Sequence, residues 1–411
     1  MRRTAVVLLL LAATMSAQVP VVAGEVARVR SEFALRAGEQ SLTCEVTPLD
    51  AVANFAFLFE AGYVFHVPQS QYSESDGGWV VLTSVRPDGH PLEDMSLIHW
   101  VSRKRAVAAG SHFDIRGLYL LGVGSYSVES TLRDSRGRVC RKEWRVVVPA
   151  SRADRAIQSK LPPYRVAPYS PIVSPDMRKP DDDAPGRLTV LLNAAAASPR
   201  RTTIGSVDRE RILDALAALL EHLPATSVRV VVFSLEQQKE VLRLDRFMPS
   251  DMKRIAEAIA ELPQATIDVN VLKNPMGHVD FLAGLIRGEL DRADAAHMVV
   301  FLGPTSRYWE KLPKDALPAA GQSHARVFYV RYERWGRLFF SPSDSTRMSS
   351  RAPVPPSDPT RGQPDIITRA VAQLNGKTMI VHTPAELAAA IRKIEDRCGA
   401  CFSLPKKSSN R

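Results

Sequence analysis

From residue 186 onward, continuous apolar runs alternate with segments of helical periodicity, and this pattern constrains the fold most strongly. The apolar runs cover residues 188–192, 228–233, 240–244, 298–302, 326–330 and 378–382. Most are apolar at nearly every position, as expected of parallel strands that helices cover on both faces. The alternation therefore predicts an α/β unit with a doubly wound, mostly parallel sheet of the Rossmann type.

Polar residues mark where the helices of this unit should begin. Ser206 and Ser250 each precede an apolar stripe of helical spacing, and serine is a residue type that caps helices. Thr383 and Glu386 form a capping box, with Pro384 at the first helical position. We therefore predict helices that are capped by Ser206, Ser250 and Thr383.

Residues 25–149 show a different pattern, of short segments rich in β-branched and aromatic residues. The strand candidates are residues 42–46, 56–67, 79–85, 96–101, 125–133 and 144–148, with turn residues between them. This pattern predicts an antiparallel β-sandwich ahead of the α/β unit. Residues 150–185 carry recurring prolines, which stiffen a chain, and predict a semi-rigid linker. Residues 341–364, rich in Ser, Pro and Arg, predict a long loop.

The first 24 residues have the features of a secretory signal peptide. Arg2 and Arg3 form a basic start, residues 5–15 are apolar, and residues 22–24 offer small side chains for cleavage. The apolar part is too short to span a bilayer, which takes about 20 residues. The mature protein is therefore expected to be exported, to the periplasm or out of the cell, without a membrane span.

Export changes the meaning of the four cysteines, because an oxidising compartment favours disulfides. We predict one bond between Cys44 and Cys140 and a second between Cys398 and Cys401. A redox motif or a zinc site are the alternatives for the second pair. Reactive pairs open a helix, where the dipole stabilises a thiolate, whereas this pair closes a predicted helix ahead of the basic tail in residues 398–411. Two cysteines are also too few ligands for a zinc site.

The net charge is +10, but the basic residues are scattered along the chain. Proteins that bind nucleic acid usually carry a dense stripe or patch of Lys and Arg. Because no such stripe is present, we do not expect nucleic acid to be the partner. Binding of an acidic polymer through this surface would instead appear as a steep dependence on salt.

The order of strands and helices over residues 186–397 resembles that of the von Willebrand factor type A (VWA) domain. Residues 230–234 followed by 240–242 are similar to that family's second and third strands, which turn directly on each other. Residues 277–285 are similar to its glycine-threonine loop and the helix after it. Residues 299–303 are similar to the strand that normally ends in an aspartate.

The resemblance implies a place for a metal ion, but the residues at that place do not suit one. The family holds a divalent cation at the carboxyl ends of its strands with an Asp-x-Ser-x-Ser loop, a threonine and a second aspartate. The corresponding residues here are Asn193, Ala195, Ala197, Val279 and Gly303. Magnesium needs several oxygen ligands, usually with carboxylate charge. The sequence therefore predicts a degenerate site, with no metal and no cofactor.

An aromatic and arginine cluster marks the rim of the same predicted crevice. Arg307, Tyr308 and Trp309 have the composition of an interaction hot spot, and His278 and Asp280 flank the crevice. This favours an exported, non-enzymatic module that binds a protein partner of unknown identity. The alternatives are local packing of the aromatic loop, and a secreted α/β hydrolase that uses His278 and Asp280 as an acid/base pair.

Overall fold

The computed structural model describes most of the chain and divides it into two compact units. The described residues are 18–33, 40–73, 77–91, 94–103, 107–148, 157, 159–177, 186–197, 204–223, 225–262, 273–292, 294, 296–313, 315–318, 325–333 and 363–402. Those of the first unit fall within Met1–Val52, Phe59–Ala150 and Ser159–Ser170, and those of the second within Ala53–Leu58, Ser151–Gln158 and Pro171–Arg411. The predicted loop at 341–364 lies outside the described residues, apart from its last two positions. The protein is thus multidomain, with antiparallel sheets in one unit and a mixed α/β unit beside them in sequence.

The first unit is built from two antiparallel sheets. Its described strands are β1 (Val19–Pro20), β2 (Glu45–Ala53), β3 (Phe59–Pro68), β4 (Trp79–Pro87), β5 (Met95–Val101), β6 (Val107–Ala109), β7 (His112–Leu121), β8 (Gly124–Asp134), β9 (Val139–Val148) and β10 (Val166–Pro168). One sheet has the order β1-β5-β4-β8-β9, and the other has the order β10-β7-β3-β2, with β6 also paired to β7. A short helix, α1 (Val26–Phe33), precedes β2.

Aromatic side chains join the two sheets across a shared core. The Tyr63 hydroxyl on β3 accepts a hydrogen bond of 3.0 Å from Thr83 on β4, and the Tyr63 ring contacts Trp144 on β9. Trp79 on β4 packs against Phe113 on β7, with 5.4 Å between ring centroids. Burial raises the pKa of Tyr63 to about 12, so its hydroxyl stays protonated in this core.

Four described strands of the first unit, β1, β6, β7 and β10, were not predicted from sequence. The prediction missed β7, because Gly117 and charged residues interrupt its apolar pattern. Gly117 is needed there, since a Cβ at this position would lie 2.3 Å from the Tyr63 hydroxyl. The predicted linker was wrong for Val166–Pro168, which pairs with Tyr119–Leu121 as an edge strand. Proline is tolerated at a sheet edge, where its missing N–H is not required.

The predicted disulfide between Cys44 and Cys140 is confirmed. Cys44 lies just before β2 of one sheet and Cys140 lies on β9 of the other, so the bond ties the two sheets together. Cys398 and Cys401 belong to the last described helix, but their side chains lie outside the described part. Their predicted disulfide stays a prediction.

The stability of the first unit is expected to fall in mild acid because of His99. Only 5% of this residue on β5 is exposed, and burial lowers the pKa of its imidazole from 6.5 to about 4. The unfolded chain then binds a proton where the folded chain does not. The contribution of neutral His99 is therefore complete above pH 6.5 and is lost as the pH falls toward 4.

Between about pH 7.5 and pH 5, this linkage should remove about 2 kcal/mol from the free energy of unfolding. Urea unfolding at the two pH values checks this in the wild type and in His99→Gln, which cannot take up the proton. The variant should lose less stability than the wild type on acidification. An equal loss in both proteins would show that other groups cause the pH dependence.

The second unit contains a six-stranded sheet with helices between its strands. Its strands are β11 (Arg187–Asn193), β12 (Ser227–Ser234), β13 (Lys239–Leu244), β14 (Met298–Pro304), β15 (Arg326–Tyr332) and β16 (Lys377–Val381). Its described helices are α2 (Ser206–His222), α3 (Met252–Ala260), α4 (Gly277–Leu290), α5 (Ile366–Gln373) and α6 (Pro384–Phe402). The sheet order is β13-β12-β11-β14-β15-β16, and every pair is parallel except β12 with β13. The apolar runs predicted as strands at these six places are confirmed.

The order of this sheet has a consequence for ligand binding. Counted from β11, the strands lie in the order 3-2-1-4-5-6, so the direction of the connections reverses between the first and fourth strands. Helices α4 and α5 share one hydrophobic core with β11, β12, β14 and β15.

None of the described helices is both long enough and apolar enough to cross a membrane.

The helix boundaries agree with the sequence only in part. The capping box is confirmed, because Glu386 N donates to Thr383 Oγ1 at 3.1 Å and Thr383 N donates to Glu386 Oε2 at 3.3 Å. Ser206 is the first residue of α2 rather than its cap, which is Gly205. Asp251, not Ser250, is the N-cap of α3. Serine, aspartate and glycine all suit a cap, so the choice between neighbouring candidates depends on the path of the preceding chain.

The segment Ala53–Leu58 between β2 and β3 belongs to the second unit. The Asn54 carboxamide oxygen accepts hydrogen bonds from Ala56 N and Leu58 N, both at 3.0 Å. These bonds hold a turn in which Phe57 has a φ of 61°. The Phe57 ring is buried and packs edge to face against His222 on α2. This explains why the predicted strand 56–67 begins only at Phe59.

Candidate functional site

The reversal in strand order places a candidate site between the carboxyl ends of β11 and β14. Ligands of open α/β sheets bind outside the carboxyl ends of the strands, at the point where the strand order reverses. Here β11 ends at Asn193, and β14 ends at Gly303 and Pro304. The predicted metal-site positions Asn193 and Gly303 are therefore brought together.

The contact between these two residues leaves little room for a ligand. Only 1% of Asn193 is exposed, and its Nδ2 donates to Pro304 O at 3.4 Å. Gly303 has a φ of 155°, and a Cβ there would lie 2.7 Å from Asn193 Cβ and 2.9 Å from Asn193 O. The Asn193 Oδ1 atom is buried and has no hydrogen-bond partner among the described residues. Close backbone packing thus occupies the space between the two strand ends.

The other predicted metal-site positions supply only carbon side chains. Ala195 and Ala197 are buried beside Asn193, and Ala194 N donates to Phe233 O at 2.8 Å. Val279 is buried in the core that α4 forms with the sheet. Within the described ranges, no three His, Cys, Asp or Glu side chains come together as a metal-binding group.

A chain of polar and aromatic contacts lies in the segments that follow β12 and β14 and in the first turn of α4. We call Glu236, His278, Arg307, Tyr308 and Glu310 the carboxyl-edge cluster. Glu236 Oε1 lies 3.8 Å from Arg307 Nε, and the Arg307 guanidinium lies 5.5 Å from the centre of the Tyr308 ring. Tyr308 stacks on the His278 ring at 4.0 Å, and His278 Nε2 lies 3.0 Å from Glu310 Oε2.

The electrostatics of this cluster differ between its buried and exposed ends. Burial raises the pKa of Glu236, while Arg307 and a hydrogen bond from Ser234 oppose this shift. His278 is only 2% exposed, whereas the side chains of Arg307 and Glu310 are each about one third exposed (32% and 38%). The cluster therefore presents one positive and one negative group to solvent over an aromatic interior.

His278 and Asp280 do not form the predicted acid/base pair. Both lie in the first turns of α4, and residues two positions apart on a helix point to different sides. His278 points inward and contacts Glu310, while Asp280 is exposed. His278 is a buried residue of this helix. Among the described residues, no hydroxyl or thiol is hydrogen-bonded to His278.

The predicted rim residues divide between packing and exposure. Tyr308 lies between His278 and Arg307, so local packing accounts for it. Trp309 is half-buried, and its Nε1 has no hydrogen-bond partner among the described residues. Sequence reasoning missed Glu310, although a carboxylate directly after an aromatic cluster was a usable signal. The rim is thus formed by Arg307, Trp309 and Glu310, with Tyr308 beneath.

A buried aspartate that the sequence did not single out holds the rim loop in place. Asp365 is fully buried and is the N-cap of α5, where its Oδ1 accepts from Thr368 N at 2.8 Å. Its Oδ2 accepts from Ser306 N at 2.7 Å and from the Tyr329 hydroxyl at 3.3 Å. Burial raises the pKa of Tyr329, and the Asp365 charge raises it further. Asp365 therefore connects the loop after β14 to the start of α5.

A second polar group lies on the first unit, across three neighbouring strands. Thr47 Oγ1 on β2 is 2.9 Å from His66 Nε2 on β3, and His66 Nδ1 is 2.8 Å from Asp114 Oδ1 on β7. Arg116 also contacts Asp114, at 3.4 Å. His66 and Asp114 are directly opposite each other in the sheet, and such cross-strand pairs stabilise sheets. We assign these contacts a structural role.

Comparisons with known proteins leave the family open. No family model matches the chain, and no curated protein matches it. Among solved structures, the crystal structure of a β-glucuronidase of Bacteroides uniformis is similar, with 9% identity and a TM-score of 0.17. That match covers 71% of this chain but 36% of the enzyme. A similarity this low supports no inference about fold or activity.

Proposed function

We propose that this chain is an exported, non-enzymatic binding protein whose second unit is a VWA-like domain that recognises a protein partner without a metal ion. The strand order, with an antiparallel edge strand β13 that returns directly from β12, supports the VWA-like assignment. The apolar N-terminal segment after Arg2 and Arg3 supports export.

The observation that carries the metal-free proposal is the packing of Gly303 against Asn193. A hard cation needs several oxygen ligands with carboxylate charge, and here an amide side chain, methyl groups and backbone fill the position. A metal could therefore not bridge the domain to a carboxylate of its partner. Recognition then depends on packing and on complementary charge at the rim.

The rim offers the chemistry of an ordinary protein interface. Arg307 and Trp309 belong to the residue types that contribute most to binding free energy, and both are partly exposed. Glu310 adds a negative charge that is anchored through His278. We infer a partner that places an acidic group against Arg307 and an apolar side chain against Trp309.

Partner binding by rim variants tests this proposal. The partner is captured by cross-linking in the exported fraction of the producing cells and is then titrated with the purified full mature chain. Arg307→Ala is expected to weaken binding about tenfold or more, because a hot-spot side chain contributes more than about 1.4 kcal/mol. Lys253→Ala on α3, whose side chain is 77% exposed, is the control and should leave binding unchanged.

The same titration with EDTA or with excess magnesium tests the absence of a metal. Binding and melting temperature should be the same in EDTA and in magnesium, because the proposed site holds no metal. A bound metal at 100 times its Kd would instead stabilise the fold by about 2.7 kcal/mol, and EDTA would remove this stabilisation. A melting temperature that falls in EDTA would contradict the metal-free site. Normal binding by Arg307→Ala would instead contradict the rim as the interface.

A further inference from the structure

We propose that export processing cleaves the peptide bond between Ala17 and Gln18, so that residues 18–33 stay in the mature protein as part of the first unit. This inference rests on the proposed export. The sequence alone suggested cleavage at residues 22–24, after the small side chains there. The folded position of residues 18–21 points to an earlier bond.

Gln18 is a core residue of the first unit. Only 8% of it is exposed, and its Nε2 donates to the Tyr63 hydroxyl at 3.2 Å. The same hydroxyl accepts a hydrogen bond from Thr83, inside the core between the two sheets. A Cβ on Gly117 would lie 2.3 Å from Gln18 Nε2, so the glycine makes room for this side chain. The fold thus contains a space that Gln18 fills.

The residues after Gln18 extend the first sheet. Val19 and Pro20 pair with Ile98 and Leu97 on β5, in antiparallel register. Val21 N donates to Ser96 O at 2.8 Å, which adds one more backbone hydrogen bond along the same strand. Without residues 18–21, the backbone of residues 96–98 on β5 would lose these partners, and unpaired backbone groups at a sheet edge are a liability.

Helix α1 continues these contacts. Arg30 Nη2 donates to Ser96 Oγ at 3.2 Å, and Arg133 Nη1 donates to Glu32 O at 2.7 Å. Phe33 is buried and lies under the Arg133 guanidinium. Residues 18–33 are therefore joined to the first unit at both ends.

The local sequence suits cleavage before Gln18. Signal peptidases prefer a small residue directly before the bond, and Ala17 is small, while the other small position of the A-x-A pattern falls on Met15. Hydrolysis adds one water molecule across the amide, which leaves a carboxylate on Ala17 and an ammonium group on Gln18. The apolar segment ends at Met15, just before this bond.

N-terminal sequencing and intact mass of the exported protein test the proposal. The full chain is produced with its own leader in a secreting bacterial host, and the periplasmic and medium fractions are purified. A mature chain that begins at Gln18 is the expected result. A start at residue 23, 24 or 25 would overturn the proposed bond while leaving export intact. A chain that stays in the cytoplasm and begins at Met1 would overturn both proposals.

Two leaderless chains give an independent measurement. The chain that begins at Glu25 should melt about 5 °C or more below the chain that begins at Gln18, because it lacks the edge strand and the buried glutamine. Within the longer chain, Gln18→Ala should lower the melting temperature, whereas Val19→Ala should change it little, since Val19 is mostly exposed. Equal melting temperatures for the two leaderless chains would overturn the proposal.

Discussion

Replacing Glu289 with alanine is expected to lower the free energy of unfolding of the second unit by about 3–5 kcal/mol. Glu289, near the end of α4, is 1% exposed and accepts hydrogen bonds from two arginines. Arg229 Nη1 on β12 donates to it at 3.2 Å, and Arg243 Nη1 on β13 donates at 2.5 Å. Its removal would take this buried acceptor from both arginines, and Arg243 would keep Glu240, which is partly exposed.

The surrounding groups cannot replace this carboxylate. Arg229 also contacts Asp245 at 2.9 Å and Asp294 at 2.5 Å, but both aspartates are about half exposed and are held on the solvent side. A hydrogen bond to Glu240, and then one to Glu289, raises the pKa of Arg243. Arginine stays charged in proteins, so neither arginine can become neutral to avoid the penalty. Breaking a buried ion pair from one side is therefore costly, although the intact pair need not contribute much net stability.

Urea unfolding followed by circular dichroism measures this effect. Glu257→Ala on α3 is the matched control, because its side chain is 57% exposed and its ion pair in the described part of the chain is with Lys253, at 3.8 Å. Exposed pairs of this kind contribute at most about 1 kcal/mol. If Glu289→Ala and Glu257→Ala cost the same, the buried network is not a determinant of stability.

Replacing Gly303 with alanine is expected to cost about 3 kcal/mol or more. Two effects add: the φ of 155° is a conformation that side chains rarely adopt, and the new Cβ would lie 2.7 Å from Asn193 Cβ. The neighbouring atoms are part of the backbone and Cβ of Asn193, not the end of a flexible side chain. The strand ends β11 and β14 would have to separate.

Gly284→Ala is the matched control for this substitution. Gly284 lies on the exposed side of α4, where a Cβ would have no atom within 4 Å. Alanine in a helix is favoured over glycine by up to about 1 kcal/mol, so the same chemical change should stabilise the protein here. The two free energies of unfolding should therefore change in opposite directions. A Gly303→Ala protein as stable as the wild type would mean that the strand ends are loosely packed.

Local patterns in the sequence were sufficient for several features. The continuous apolar runs identified the six strands of the second unit, because strands covered on both faces have apolar residues throughout. The capping box of Thr383 and Glu386 was recognisable because its two hydrogen bonds join residues three apart. The Cys44–Cys140 bond followed from the even number of cysteines and their positions at opposite ends of one unit.

Features that depend on distant residues were missed or misassigned. Strand β7 contains Gly117, and a glycine within a run of residues usually indicates a break in a strand. Its reason is the Tyr63 side chain, which fills the space that a Cβ on residue 117 would need. His278 was paired with its sequence neighbour Asp280, whereas its partner is Glu310, 32 residues away. Residues 18–21 were assigned to the leader because they directly follow its apolar segment. Their strand partners on β5 are almost 80 residues away, so the local sequence does not reveal the pairing.

The amino-acid order by itself determined the class of each unit, since the spacing of apolar residues decides whether a segment presents one face or two to a core. From the resemblance to the VWA domain, the sequence also predicts carbon and amide groups at the positions of that family's metal ligands. Only the tertiary structure decided which polar groups meet, as in His278 with Glu310 and Arg229 with Glu289. Such contacts depend on register and helix rotation across separate elements, and no local spacing encodes either.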